Sequence, residues 1–362
     1  MKWRRTTALI TALIASTRCI ETYAASSSRR LLVDGEFESI GNPPMPVQMP
    51  VPMPARDFST LGRAVTKHLP APFWTKDAEG RYTGVNDYFT RVFGFDVAGA
   101  VIGKTDEELV EAATVDLLID EFDGVLPNET FKSIWGRLRD NDIIVQESGE
   151  PTRFLERIFL RDEKRVIPVN AIKAPYMGGT VGIAVFGHLD EGGITLDLVR
   201  DDDEMSIGTS DDTDAEAVRI ESLGRAAVQG GAFLLWTKDA NGRYTALNDF
   251  YLDYVGADDE SDVLGKTDLD IVAVAAPDGI DDYEGLLPGE TSTSIANSWS
   301  EDDLRVIESN ETLRVIERDF NDGRVFDVIS IKAPFAGGTV GVAIPVYASD
   351  ASDVVNAVDV DA

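Results

Sequence analysis

"FWTKDAEGRYTGVN" runs from Phe73 to Asn86, and "LLWTKDANGRYTALN" runs from Leu234 to Asn248. From Trp74 and Trp236 onward the phrases align at a constant offset of 162. In each, an Asp and a Gly bracket a short polar step, Asp77 to Gly80 and Asp239 to Gly242. An Asp side chain bonds the amides of its own turn and Gly supplies backbone freedom, so the phrase reads as strand, tight turn, strand. The expected pairing is Phe73–Lys76 with Arg81–Val85. Asn86 and Asn248 stand where the second strand stops and a helical spacing starts. An Asn oxygen there accepts from an orphan helix amide. The following "DYFTRVFG" sets Phe89 and Phe93 four apart on one helix face, with Tyr251 answering Phe89 in the second copy.

The copying extends far beyond this phrase. "LGRA" at 61–64 recurs at 223–226, and "GKTD" at 103–106 recurs at 265–268, both at 162. "GVLPNET" is answered by "GLLPGET" at an offset of 161, and "KAPYMGGTVG" by "KAPFAGGTVG" at 159. Solenoid repeats are shorter and more numerous, so two long copies mean a duplicated domain. The expected blocks are 57–192 and 217–348, separated by an acidic linker over 193–216.

Within a block, "GKTD" reads as a turn and a cap, with Thr105 or Asp106 opening a short helix. "RDNDIIVQESGEP" and "SEDDLRVIESNET" read as a helix with an acidic start. Its stop residue is Gly149 in one copy and Asn310 in the other, the two types that best tolerate a left-handed backbone. "TRFLERIFL", "KRVIPVNAIKA" and "TVGIAVFG" read as strands, repeated as "TLRVIERDF", "GRVFDVISIKA" and "TVGVAIPVY". "GGTVG" opens a strand rather than a helix, so it reads as a hairpin turn and not as a phosphate cradle. The order is entry helix, two strands, several short helices, three strands. It predicts an α+β fold of two domains, each a five-stranded antiparallel sheet with short helices packed on one face.

The 362 residues are 43% hydrophobic and carry a formal charge of −31. The apolar fraction suffices for two packed cores. The acidic surface repels phosphate backbones, so no nucleic-acid partner is expected. The single cysteine, Cys19, rules out an internal disulfide framework, and with only His68 and His188 a multi-histidine metal cage cannot form. A Ser-His-Asp set is not readable in either block, and no catalytic or metal-ligating residues are expected.

The ends differ from the blocks. Residues 1–25 open with Lys2, Arg4 and Arg5 before an apolar run too short for a lasting membrane span. This reads as a cleavable secretory or transit segment, with a plain cytoplasmic start as the alternative. Residues 26–56 contain "GNPPMPVQMPVPMP", a stiff proline-rich spacer, and 349–362 form an acidic tail.

The phrases "FWTKDxxGRY…N", "G(K)TD", "SGEP" and "KAP…G…VG", in that order and answered in the second copy by "LWTKDxxGRY…N", "GKTD", "SNET" and "KAP…G…VG", resemble the PAS family of sensory domains. The resemblance implies a small ligand or cofactor cupped between sheet and helices, or pairing of domains through the outer face of the sheet. It also implies partners of two kinds: a small molecule, a signalling protein, or both, with a homodimer in prospect. Flavin-cysteinyl photochemistry is excluded because neither block contains a cysteine. The two histidines do not recur between copies, which speaks against a haem axial ligand. Otherwise the cofactor is not readable. The stretch between "GKTD" and the long helix is unusually long, and it is the part that would line or cover a pocket.

Candidate pocket residues are Asn86, Phe89, Phe93, Glu156 and Lys173 in the first block, and Asn248, Tyr251, Glu317 and Lys332 in the second. Lys173 and Lys332 are each a cation on a late strand in an acid-rich chain. They read as exposed lysines, as contacts to an anionic ligand, or as fixed partners of buried carboxylates such as Glu156 and Glu317. The expected function is a non-catalytic tandem sensor that binds a small molecule and signals by changing shape or pairing. An interaction scaffold with filled cores is the alternative.

Overall fold

The computed structural model describes residues 58–114, 117–160, 163–186, 188–190, 193–195 and 213–346. The basic N-terminal stretch expected to be a cleavable segment, the proline-rich segment, Cys19, most of the acidic linker and the acidic tail lie outside the described residues. No helix among those residues is long and apolar enough to cross a membrane.

The first block opens with helix α1 (Ser59–Arg63), which runs into a wider turn over Ala64–His68 closed by the Leu69 amide donating to the Ala64 carbonyl. Strands β1 (Phe73–Lys76) and β2 (Tyr82–Val85) follow, then helices α2 (Asp87–Val92), α3 (Asp106–Thr114) and α4 (Phe131–Ser148). Strands β3 (Thr152–Leu160), β4 (Arg165–Tyr176) and β5 (Gly179–Phe186) complete an antiparallel sheet of order β2-β1-β5-β4-β3. A small hairpin, β6 (His188–Asp190) with β7 (Gly193–Thr195), straddles the expected boundary between first block and linker at 192.

The second block repeats the plan. Helix α5 (Thr213–Gln229) leads into β8 (Leu234–Lys238) and β9 (Tyr244–Leu247). Helices α6 (Asp249–Val255), α7 (Asp268–Ala275) and α8 (Ser292–Ser309) precede β10 (Leu313–Asn321), β11 (Arg324–Phe335) and β12 (Gly338–Val346). The strand order β9-β8-β12-β11-β10 is that of the first sheet. Both blocks therefore have the expected five-stranded antiparallel sheet with helices.

Local chemistry explains the shared plan. The Asp77 side chain accepts from the Arg81 amide at 2.8 Å, and Gly80 has φ 79°, as the tight turn between β1 and β2 requires. The turn between β4 and β5 is Met177–Gly178 with φ 48° and 83°, and Ala336–Gly337 matches it at 50° and 81°. Two successive positive φ values give the strand twist that a two-residue hairpin needs.

The long helices start earlier than their acidic stretches suggest. Thr130 and Ser133 cap α4 reciprocally at 2.9 and 3.0 Å, and Thr291 and Ser294 do the same for α8. The acids read as a helix start are thus mid-helix. Two of them, Asp142 and Asp303, face the sheet and are buried.

Each sheet has two apolar faces. The inner face packs against its own helices, through Phe89, Trp135, Ile158 and Phe186 in the first block and through Trp236, Tyr251, Val328 and Ala343 in the second. The outer faces share one core that contains Phe73, Ile183 and Val185 together with Phe233, Leu235 and Val342. The Phe73 and Phe233 rings meet edge to face at 6.1 Å. At the crossing of α1 with α5, an added Cβ on Gly62 would lie 2.1 Å from the Ile220 carbonyl oxygen, and one on Gly224 2.2 Å from that of Phe58. The glycine of each "LGRA" is there because two backbones touch. Two arginines reach across reciprocally: Arg153 donates to the Pro345 carbonyl, and Arg314 donates to the Tyr88 hydroxyl at 3.1 Å.

Candidate functional site

A buried lattice of charge lies between sheet and helices in each block. In the first, Lys76 on β1 donates to Asp106 at 2.6 Å and to Asp142 at 2.7 Å. The Tyr82 hydroxyl donates to the other oxygen of Asp106 at 2.8 Å. Lys173 on β4 is ion-paired with Asp142 at 2.9 Å and with Glu156 at 2.7 Å, and donates to the Leu138 carbonyl at 2.9 Å. Asn141 donates to Glu156 at 2.8 Å. A strand lysine therefore holds the first residue of α3 and the middle of α4 against the sheet.

The second block repeats this with Lys238, Asp268, Asp303, Lys332 and Glu317. Lys238 reaches both oxygens of Asp268 at 2.6 and 2.8 Å and Asp303 at 2.6 Å. Lys332 pairs with Glu317 at 2.7 Å and donates to the Trp299 carbonyl at 2.9 Å, but stands 3.8 Å from Asp303. Thr339 donates to Asp303 at 3.1 Å. Tyr244 and Ser300 both donate to Asp268, at 2.7 and 2.9 Å.

The protonation energetics follow from burial set against these partners. Burial opposes the charge on Asp142, but Lys76 and Lys173 outweigh it and hold the carboxyl below its usual range. Asp303 is lowered likewise: burial opposes, and Lys238 and Lys332 prevail. For Lys173 and Lys332, burial works against the cation, yet the carboxylates around them raise both above the ordinary lysine value. Glu317 goes the other way, because burial outweighs the pull of Lys332 and raises it. Burial first, and then Asp268, push the Tyr244 and Tyr251 hydroxyls well above the usual tyrosine value.

Beyond the lattice the two interiors diverge. In the first block, aromatic rings fill the space over the sheet: Phe89 to Phe93 at 4.6 Å, Phe93 to Trp135 at 6.0 Å, and Trp135 to Phe159 at 5.5 Å. In the second, Val255 and Ala296 stand where Phe93 and Trp135 would, and a cavity of about 40 Å³ lies beside the lattice. Lys238, Tyr251, Glu317, Asp319, Ser330 and Lys332 contribute to its wall. Tyr254, Ala275 and Trp299 form the part of that wall nearest to solvent.

The candidate residues fall into three groups. Tyr251, Glu317 and Lys332 line the cavity, with Tyr251 bonded to Tyr244 at 2.6 Å. Glu156, Lys173, Phe89 and Phe93 occupy the matching places in the first block, in the lattice and in the ring cluster. Asn86 and Asn248 are elsewhere. Asn86 accepts from the Phe73 and Phe89 amides at 3.0 and 2.9 Å and donates to the Ala71 carbonyl at 2.8 Å. Asn248 accepts from the Leu235 and Tyr251 amides, both at 3.2 Å, and donates to the Phe233 carbonyl at 2.7 Å. Each Asn is a buried clasp joining entry segment, first strand and helix. His68 packs its ring edge-on against Phe335 at 5.2 Å, and burial, then Arg63 and Lys67, lower its pKa. The His188 side chain lies outside the described atoms.

Sequence reading missed Lys76, Lys238, Asp106 and Asp268. Their signal was available, as a lysine at a recurring strand position and an aspartate at a recurring helix start. It also missed Asp319 and Ser330, which do not recur: their counterparts are Ile158 and Ala171. Among the described residues, no group of three or more His, Cys, Asp or Glu is placed to hold a metal ion.

No curated protein matches the sequence. Residues 63–126 match the model of a PAS domain family. Among solved structures, VqmA of Vibrio cholerae is 18% identical over 32% of this chain and 47% of its own, with a TM-score of 0.26. The PAS domain of Bordetella pertussis BvgS is 21% identical over 38% of this chain and 88% of its own, with a TM-score of 0.25. A domain of an HTR-like protein from Haloarcula marismortui is 18% identical over 32% of this chain and 100% of its own, at 0.23. The chain spans about half the length of the VqmA chains it matches. The first block thus contains the segment that matches a PAS domain family, and the second block repeats its strand order and its buried lattice of lysines and carboxylates.

Proposed function

We propose that this chain is a tandem PAS sensory module in which the second domain binds a small molecule and the first is a packed, ligand-free relay. One observation carries the reading: beside the lattice the second domain has a cavity of about 40 Å³, where aromatic side chains fill the first. A site lined by apolar rings with a few converging polar groups is the usual form of a small-molecule pocket. The site recognises rather than transforms, since its lysines are tied up in ion pairs.

The shared outer core supplies the route from one domain to the other. A ligand that shifts α7 or α8 moves the sheet through Lys238 and Lys332, and β8 and β12 carry Leu235 and Val342 into the core shared with the first domain. The outer faces that such domains would use to pair between copies are here joined within one chain, so a second copy is not needed for the relay. The lack of a nucleic-acid partner is part of this reading and rests on charge alone.

The test uses the purified full-length chain and its Ala296→Trp variant. Native mass spectrometry and thermal melting against a metabolite panel should reveal a bound molecule or a ligand-dependent rise in Tm that the variant loses. A wild-type chain with no bound molecule and no shift, alongside an Ala296→Trp variant that melts identically, counts against the reading.

A further inference from the structure

Resting on the reading of this cavity as a ligand site, we propose that its ligand is a small uncharged molecule with a carbonyl-type oxygen, and that Lys332 donates the hydrogen bond that holds it. The two domains carry the same lattice, and the difference between them leaves one donor open.

An ammonium group has three N–H donors. In the first domain every donor of Lys173 faces an acceptor: Asp142 at 2.9 Å, Glu156 at 2.7 Å and the Leu138 carbonyl at 2.9 Å. Lys332 has Glu317 at 2.7 Å and the Trp299 carbonyl at 2.9 Å, but Asp303 Oδ1 stands 3.8 Å away, beyond hydrogen-bond reach. Thr339 has taken that oxygen, donating to it at 3.1 Å. Its counterpart Thr180 leaves Asp142 Oδ1 to Lys173 and has no partner of its own. The third N–H of Lys332 is thus without an acceptor among the described residues, and Lys332 is completely buried on the cavity wall. A buried charged group with an unpaired donor carries a desolvation cost, which a ligand oxygen would offset.

The rest of the wall also calls for an acceptor. Its carboxylates already hold donors: Asp268 accepts from Lys238, Tyr244 and Ser300. Glu317 holds Lys332 and Ser330, and Asp319 holds the Phe320 amide and the Tyr254 side chain. The Trp236 Nε1–H, buried on the same wall, is a second donor with no partner. Its ring lies over Gly341, the residue that pairs with Lys332 across the sheet. Trp74 has the same orphaned N–H, so the open lysine donor, which the first domain lacks, is the specific feature.

Charge narrows the class. An anion would join Asp268, Asp303, Glu317 and Asp319, which already outnumber Lys238 and Lys332. A cation would bring more donors to the open N–H of a lysine. A neutral oxygen meets neither cost, and a hydrogen bond from an ammonium is about twice as strong as a neutral one. Val255, Ile271, Val272 and Ala343 give the remaining wall an apolar lining that suits methyl groups. A volume of about 40 Å³ has room for about three or four atoms of water size, which fits a ketone or amide group with its flanking carbons.

The experiment titrates the full-length chain at constant ionic strength with probes of one planar shape: acetone, isobutene, acetate and acetamidinium. Calorimetry and the indole N–H signals of chain labelled at tryptophan follow binding. Acetone alone should saturate, with a shift of the Trp236 signal. Lys332→Met should weaken acetone by about tenfold or more, the loss of one charge-assisted hydrogen bond. Thr339→Val gives an independent reading where Lys332→Met does not fold. It keeps the side-chain shape, hands Asp303 back to Lys332, and should weaken acetone although Thr339 is not on the cavity wall. Val255→Phe, which restores the ring that the first domain has at Phe93, should abolish binding. Acetone binding unchanged in Lys332→Met, or in Thr339→Val where the first variant does not fold, overturns the proposal. Isobutene, acetate or acetamidinium binding as tightly as acetone, and lost in Val255→Phe, overturns it but leaves the sensory reading standing. Failure of every probe overturns it as well, and the sensory reading then rests on the metabolite panel alone.

Discussion

Where the first domain carries Trp135 and Phe93, the second carries Ala296 and Val255, and where the first has Ile158 and Ala171, the second has Asp319 and Ser330. These four exchanges sit on the same backbone and beside the same lattice of lysines and carboxylates. Two of them remove volume and two add polarity. A fifth, Trp299 for Leu138, returns some of the volume by stacking on Phe320 at 6.0 Å. Duplication thus left one copy as a filled core and the other as a core with a polar opening. The lattice is common to both and is therefore the fold's own device, whereas Asp319 and Ser330 belong to the opening. Shared residues report on folding, and unshared ones report on what the second domain does.

The largest expected effect separates the two lattices. Lys173 holds Asp142 at 2.9 Å as well as Glu156 at 2.7 Å, whereas Lys332 holds Glu317 at 2.7 Å and is 3.8 Å from Asp303. Removing one partner of a buried pair leaves an uncompensated charge and costs about 3–5 kcal/mol. Lys173→Met should fall in that range. Lys332→Met should cost less, because Asp303 keeps Lys238 at 2.6 Å and Glu317, already raised by burial, takes a proton instead. Urea unfolding of both variants checks the ranking, and equal losses would mean the lattices are equivalent after all. For Asp142 and Asp303 the folded pKa lies below the unfolded value of 3.8. Their stabilisation is present above that value and is lost as pH falls through the folded pKa.

Asp319 should show the opposite pH dependence. Burial comes first among its causes, with Glu317 adding to it, against the Phe320 amide and the Tyr254 side chain, and the carboxyl is pushed up to about 7 from 3.8. Between these values the unfolded chain has lost a proton that the folded chain keeps. Stability therefore declines as pH rises from about 4 to about 7, by up to about 4 kcal/mol, and then levels off. Asp319→Asn should remove this slope and leave the chain more stable than wild type at pH 8. Unfolding curves at pH 5 and pH 8 test it, and a variant with the wild-type slope would show that Asp319 titrates freely. A substitution that stabilises the fold above pH 7 would set this residue apart from every member of the lattice.

Much of the fold was legible because its grammar is local. Asp77 with Gly80, Asn86 as a cap, and the paired positive-φ turns each need a particular residue type, and the second copy repeats the statement. The helix starts were misplaced because Asp142 and Asp303 looked like first-turn acids, when their charge is spent across the layer on strand lysines. That pairing is between residues 66 and 65 positions apart, which no local window sees. The cavity was least legible. It lies beside Val255, where the first copy has Phe93, and a missing volume leaves no mark in a single copy. Alignment of the two copies does expose it, as a list of places where large became small and apolar became polar.

The smallest expected effect tests that alignment at a place where the copies differ without consequence for the site. Helix α4 ends at Gly149 with φ 69° and ψ 10°, and α8 ends at Asn310 with φ 55° and ψ 29°. Both are left-handed, and the amide of each donates back to the carbonyl four residues earlier, Val145 or Val306. A Cβ placed on Gly149 would meet no atom within 4 Å, so substitution there carries a backbone penalty and no steric one. Gly149→Ala should cost about 1 kcal/mol, Gly149→Asn less, and Asn310→Gly should gain a few tenths of a kcal/mol. Thermal melting of the three variants tests the order. If Gly149→Asn proved as costly as Gly149→Ala, the Asn at the second stop would owe its place to something other than its tolerance of this backbone. The assignment of the two stops as equivalent positions would then lose its physical basis.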